Sequence, residues 1–84
     1  MDLKKKVVLV SGATGGMGEE LVKLLAQEKC KLALFARREN KLKKLKENLE
    51  TKENQITYKT CDVQQKDQVE AAVDYTLETY GRID

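Results

Sequence analysis

The residues of this chain best suited to chemistry are three glycines, Gly12, Gly16 and Gly18, spaced G-x-x-x-G-x-G. They follow a short apolar run, Val7-Val8-Leu9-Val10, the kind of strand buried on both faces of a parallel sheet. They precede a stretch in which Met17, Leu21, Val22, Leu24, Leu25 and Ala26 fall on one wide helical face. Strand, glycine turn and helix make a phosphate cradle. The glycines let the backbone approach a pyrophosphate, which rests on the orphan N–H groups and positive dipole end of the helix. No G-K-[ST] is present, which excludes a P-loop nucleotidase. The plain alternative is a glycine-rich turn that binds nothing, and the flanking strand and helix argue against it.

Two further groups can complete such a site. In dinucleotide folds an acidic residue about 20 positions after the glycines, at the end of the second strand, holds the ribose 2′-hydroxyl of NAD. Ala36, Arg37 and Arg38 stand there instead. A carboxylate would repel a 2′-phosphate, whereas a guanidinium pairs with it bidentately. The pair therefore favours NADP(H) over NAD(H), the competing reading being two solvated surface charges. Asp62-Val63 closes the third apolar segment. Its carboxylate can accept from an exocyclic amine, and it is also placed to cap the following helix; the two roles are compatible.

Ser11, Gly12, Ala13, Thr14, Gly15, Gly16, Met17 and Gly18 match [ST]-G-A-x-x-G-[IM]-G without a gap. In this the chain resembles the classical short-chain dehydrogenase/reductase family. The resemblance implies that Gly12, Thr14, Gly15, Gly16, Met17 and Gly18 hold the cofactor. It also implies that Arg37, with Arg38, selects the 2′-phosphate, and that Asp62 meets the adenine amino group while Val63 packs on its ring. Some NADP-preferring members carry a basic residue just before the second motif glycine. Gly15 occupies that place here, so that contact is missing.

The elements that position these residues alternate. The first strand is expected over 6–10, a helix over 16–29, the second strand over 31–36 and a helix over 39–52. A third strand is expected over 55–61 and a third helix over 66–80, with Gly81 as its left-handed C-cap. Val69, Ala72, Val73, Leu77 and Tyr80 are the expected inward face of that last helix. Strands separated by helices imply right-handed crossovers and a parallel sheet. The fold class is α/β: the N-terminal half (βαβαβα) of an NAD(P)-binding Rossmann fold, with a three-stranded parallel sheet in order 3-2-1. Two helices should cover one face and the third helix the other. Residues 1–84 are read as one partial dinucleotide-binding domain that stops before a fourth strand.

Composition bounds the rest. A chain of 84 residues with a net charge of +2 holds one small domain and is not basic enough to argue for nucleic acid. The lysines between 41 and 46 are interleaved with Glu39, Glu47 and Glu50, without aromatics for base stacking. No apolar run of about 18 residues exists to span a membrane. MDLKKKVVLV lacks a signal-peptide core, which points to the cytoplasm. Cys30 and Cys61 fall at opposite ends of parallel strands, so free thiols are expected rather than a disulfide. The chain has no histidine, which leaves no histidine metal site or Ser-His-Asp triad; no metal site is assigned.

No catalytic residue is assigned either. Family members continue with N-N-A-G, a catalytic serine and Tyr-x-x-x-Lys. Four places after Tyr58, Tyr75 and Tyr80 lie Asp62, Thr79 and Asp84, none of them lysine. The expectation is an NADP(H)-binding part of an oxidoreductase, inactive by itself and able to self-associate through an exposed first strand. The alternative is a non-catalytic nucleotide-binding or protein-interaction module.

Overall fold

The computed structural model describes residues 4–52, 54–62 and 64–84. The elements run β1 (Val7–Ser11), α1 (Gly16–Ala26), β2 (Lys31–Ala36), α2 (Glu39–Leu49), β3 (Ile56–Thr60) and α3 (Lys66–Tyr80). The three strands form one parallel sheet with β2 in the centre. Val7 pairs with Lys31 and Leu32 with Ile56 in the two ladders, so the expected order 3-2-1 is observed. Val63 lies outside the described residues.

Strand alternation splits the sheet into two apolar faces. Val10, Leu32, Leu34, Ala36 and Ile56 face α1 and α2, where they meet Val22, Ala26, Leu42 and Leu45. Ala33 and Phe35 face α3, where they meet Ala72 and Cys61, with Leu9, Tyr75 and Tyr80 alongside. Two helices therefore cover one face and the third covers the other. Fully burying a side chain such as Leu42 or Leu34 stabilises by about 1.5–3 kcal/mol, which makes β2 the spine of the domain.

Four local expectations are corrected. Helix α1 stops at Ala26, not Lys29: the N–H groups of Gln27, Glu28 and Lys29 reach back only three residues, to Leu24, Leu25 and Ala26. That tightening ends the helix, Lys29 turns left-handed at φ 57° and leads into β2, and Lys23 takes the last-turn basic position. Helix α2 stops at Leu49, where Glu50 becomes extended and its carboxylate accepts the Ile56 N–H at 2.9 Å, capping the outer edge of β3. Met17, Leu24 and Leu21 do not pack inward; they are 90%, 60% and 47% exposed, and Val22 and Ala26 carry the docking instead. On α3 the buried pair is Ala72 and Thr76, while Val69 and Leu77 are exposed.

Lys5 also adopts a left-handed backbone, at φ 66°. That conformation costs an L-residue about 1–2 kcal/mol and is usually given to glycine or asparagine. Its N–H donates to the Lys29 carbonyl at 3.1 Å, and the next pairing, Lys31 N–H to Lys6 carbonyl at 2.8 Å, begins the β1–β2 ladder. After α3, Gly81 (φ 81°) reverses the chain as expected. Asp84 then reaches β1: its N–H donates to the Val7 carbonyl at 2.7 Å and its carboxylate accepts the Val7 N–H at 2.8 Å. Arg82 pairs with the same carboxylate. The Val7 hydrogen bond, then the Arg82 guanidinium, hold the Asp84 carboxyl below its ordinary range. The open side of β1 is thus bridged at its first residue.

Candidate dinucleotide-binding site

A cleft of about 780 Å³ opens at the carboxyl ends of the strands. It is lined by Gly12, Thr14 and Gly15 after β1, by Ala36, Arg37 and Arg38 after β2, and by Cys61, Asp62 and Gln64 after β3. Three consecutive parallel strands thus deliver three loops to one place, the usual position of a ligand in an open α/β sheet.

The glycine turn has an individual reason at two positions. Gly12 sits at φ 67°, a region side chains rarely adopt, and its carbonyl accepts the Gly15 N–H at 3.1 Å to close the turn. A Cβ on Gly18 would stand 2.0 Å from the Gly12 carbonyl oxygen, so only glycine lets α1 seat on the turn. Gly15 is the N-cap of α1 and no side chain caps it. The first-turn N–H groups have no carbonyl a turn earlier to bond, which leaves donors for an anion at the cleft. A Cβ on Gly16 would meet nothing within 4 Å, so the approach to those donors is open. These features fit a pyrophosphate.

Arg37 and Arg38 are exposed at the cleft rim. Asp62 is held firmly. Its Oδ1 accepts the Gln64 N–H at 2.9 Å, its carbonyl accepts the Gln65 N–H at 2.9 Å, and its N–H donates to Gln68 Oε1 at 2.8 Å. Asp62 therefore builds the turn that precedes α3 and lines the cleft, but it does not cap the helix as expected, because the N-cap is Gln65 and no side chain bonds the first-turn N–H groups. Among the described residues, no group of three or more potential metal ligands clusters.

A family model described as short chain dehydrogenase matches residues 6–84. The chain belongs to the short-chain dehydrogenase/reductase family. It is 33% identical over 84 residues to an uncharacterized oxidoreductase of Listeria innocua, covering 100% of this chain and 34% of that protein. It superposes on an alcohol dehydrogenase from the archaeon Thermococcus sibiricus complexed with 5-hydroxy-NADP at TM-score 0.89 and 32% identity, covering 94% of this chain and 34% of that one. A short-chain dehydrogenase/reductase from Burkholderia phymatum in complex with NAD gives TM-score 0.90 at 26% identity, covering 99% of this chain and 30% of that one. The chain spans about a third of the length of these relatives.

Of the residues singled out from sequence, Gly12, Thr14, Gly15, Arg37, Arg38 and Asp62 line the cleft together. Gly16, Met17 and Gly18 do not line it; they form the first turn of α1 behind it. Sequence reasoning missed Cys61 and Gln64 as lining residues. The signal for Gln64 was the two-residue step from Asp62, the offset at which an aspartate side chain turns back onto the backbone.

Proposed function

We propose that this chain forms the NADP(H)-binding N-terminal part of a short-chain oxidoreductase that moves a hydride between a nicotinamide cofactor and an alcohol or ketone. The observation that carries the reading is the meeting of Arg37 and Arg38 with Gly12, Gly15 and Asp62 around one cleft. Once bound, the nicotinamide supplies the hydride chemistry. The chain's own residues bind and orient: the turn and the α1 N-terminus receive the pyrophosphate, the two guanidinium groups take the 2′-phosphate, and Asp62 accepts from the adenine amine. The complexes of the relatives include both NADP and NAD, so the preference rests on the arginines alone.

These residues transfer no hydride by themselves. Tyr75 exchanges a hydrogen bond with Thr57 at 2.7 Å and Tyr80 donates to the Leu32 carbonyl at 3.1 Å, while Tyr58 packs on the α1–α2 face. None of the three lines the cleft among its described residues. A cytoplasmic site of action belongs to the same reading, supported by two free, buried thiols. Burial, first of all, raises the Cys30 thiol above its ordinary value, and it donates to the Leu25 carbonyl at 3.2 Å.

Titration with NADPH and NADH, read by binding heat and thermal shift, tests the proposal. NADPH should bind at least about tenfold tighter, and Arg37→Ala should remove most of that margin. Equal affinity for the two cofactors, or a margin that survives Arg37→Ala/Arg38→Ala, overturns it.

The exposed stripe of Met17, Leu21 and Leu24, with the open edge of β1 beyond Asp84, favours a second reading in which the chain also associates with copies of itself. A dimer in light scattering that Leu24→Glu dissolves would support that module-like role. A monomer at all concentrations would exclude it.

A further inference from the structure

Asp62 stands where the sheet runs out of partners. β3 is an edge strand: β2 lies on one side of it, and among the described residues no strand lies on the other. The Cys61 N–H reaches across to β2 and donates to the Ala36 carbonyl at 2.8 Å, the last rung of that ladder. The Asp62 N–H comes next, beyond that rung. Its acceptor is a side chain six residues on, Gln68 Oε1, at 2.8 Å.

Gln68 is the third residue of α3, after Lys66 and Asp67. A glutamine there ordinarily turns back to the backbone N–H of the N-cap, in the reciprocal bond that starts many helices. In this chain the N-cap is Gln65, and its N–H already donates to the Asp62 carbonyl at 2.9 Å. The Gln68 amide oxygen passes beyond it to the Asp62 N–H. α3 therefore holds both backbone polar groups of Asp62, the carbonyl through Gln65 and the N–H through Gln68. The side chain is oriented in turn, with Oδ1 accepting the Gln64 N–H at 2.9 Å. Asp62 lines the cofactor cleft; Gln68 does not.

We infer that Gln68 is a positioning residue for the adenine end of the cofactor, an inference that rests on reading the cleft as a dinucleotide site. It fixes the Asp62 backbone and, through it, the direction of the carboxylate that accepts from the adenine amine. The bond ties the helix to the loop and joins no two residues of the helix itself, so its loss leaves the hydrogen bonds of α3 in place. Gln68 is exposed, and a single bond from such a side chain is modest in energy. Its effect therefore belongs to base discrimination. A site that bonds a substrate amine rejects an analogue lacking it only while the acceptor keeps its direction.

The test compares NADPH with nicotinamide hypoxanthine dinucleotide phosphate, in which a carbonyl replaces the adenine amine, by binding heat. The unaltered chain should prefer NADPH at least about tenfold, and Gln68→Met should cut that preference at least about threefold. Methionine matches glutamine in length and helix propensity but lacks the amide oxygen. Gln68→Glu keeps an oxygen at the same reach and should restore the preference. A merely structural role would weaken both ligands equally and leave their ratio alone. Amide hydrogen exchange without ligand gives a second measurement. The Asp62 N–H should be protected in the unaltered chain and exchange at least about threefold faster in Gln68→Met. A preference absent from the unaltered chain or unchanged by Gln68→Met, or a freely exchanging Asp62 amide, overturns the inference and leaves the cofactor reading standing. No binding of NADPH to the unaltered chain overturns both.

Discussion

On one face of the sheet, Leu32, Leu34 and Ile56 meet Val22, Leu42 and Leu45, a wholly aliphatic contact. On the other, the fully apolar set shrinks to Ala33, Phe35, Cys61 and Ala72, and hydroxyl groups complete the packing. Tyr75 reaches Thr57, Tyr80 reaches the Leu32 carbonyl, and Thr76 is buried with its hydroxyl donating to the Ala72 carbonyl at 2.9 Å. The aliphatic face is held chiefly by area. The α3 face is held partly by directional bonds whose removal leaves a partner unsatisfied. The glycine turn closes the first face and Asp62 closes the second, so the cofactor cleft lies where two differently stabilised halves meet.

The largest effect should come from Gly18→Ala. Its Cβ would meet the Gly12 carbonyl at 2.0 Å, backbone that cannot move without pulling α1 off the turn. We expect a loss of about 3 kcal/mol or more, despite the better helix propensity of alanine. Urea unfolding measures it, and a stability equal to wild type would show that the turn is slack. Leu42→Ala comes next, emptying a fully buried site on the aliphatic face. A loss of about 2–5 kcal/mol is expected, enough to unfold much of so small a domain. A loss under about 1 kcal/mol would mean that α2 is not docked as described.

A smaller effect distinguishes the α3 face. Tyr75→Phe removes one hydroxyl and leaves Thr57, itself buried, without its 2.7 Å partner. The expected cost is about 1–2 kcal/mol, and Thr57→Val in the same background should cost less than it does alone. Strictly additive losses in that double-mutant cycle would remove the hydrogen bond from the account of this face.

The same contrast explains what was legible from residues alone. The apolar run found β2 over residues 31–36 because the aliphatic face is recognised by area. Apolar periodicity misread α3, choosing Val69 and Leu77 over Tyr75 and Thr76, because hydroxyl groups that satisfy themselves locally look like surface residues in a hydropathy pattern. It likewise placed Met17, Leu21 and Leu24 inward on α1, where Val22 and Ala26 dock with Leu25 beside them. The cleft was readable because Gly12, Arg37 and Asp62 each lie in the loop that follows a strand of one parallel sheet, so topology brings them together. The left-handed turns at Lys5 and Lys29 were not, since nothing in a lysine announces a positive φ.

The smallest effect is a difference in pH dependence, carried by Tyr80. Burial chiefly, then the nearby Glu50 charge and Tyr75, push its phenol from 10.0 up to about 12, against a weaker opposing pull from the Thr57 backbone. The folded state therefore keeps the proton that the unfolded chain releases first. The contribution of this group is complete below pH 10, declines as pH rises from there and is gone above about 12. Tyr80→Phe should cost about 1 kcal/mol at pH 7, for the hydrogen bond to the Leu32 carbonyl. The gap between wild type and variant should then narrow between pH 10 and 12, because the wild type must lose its proton there and the variant has none to lose. A gap that stays constant across this range would show that the Tyr80 hydroxyl is solvated, and that the α3 face is held by packing as its opposite is.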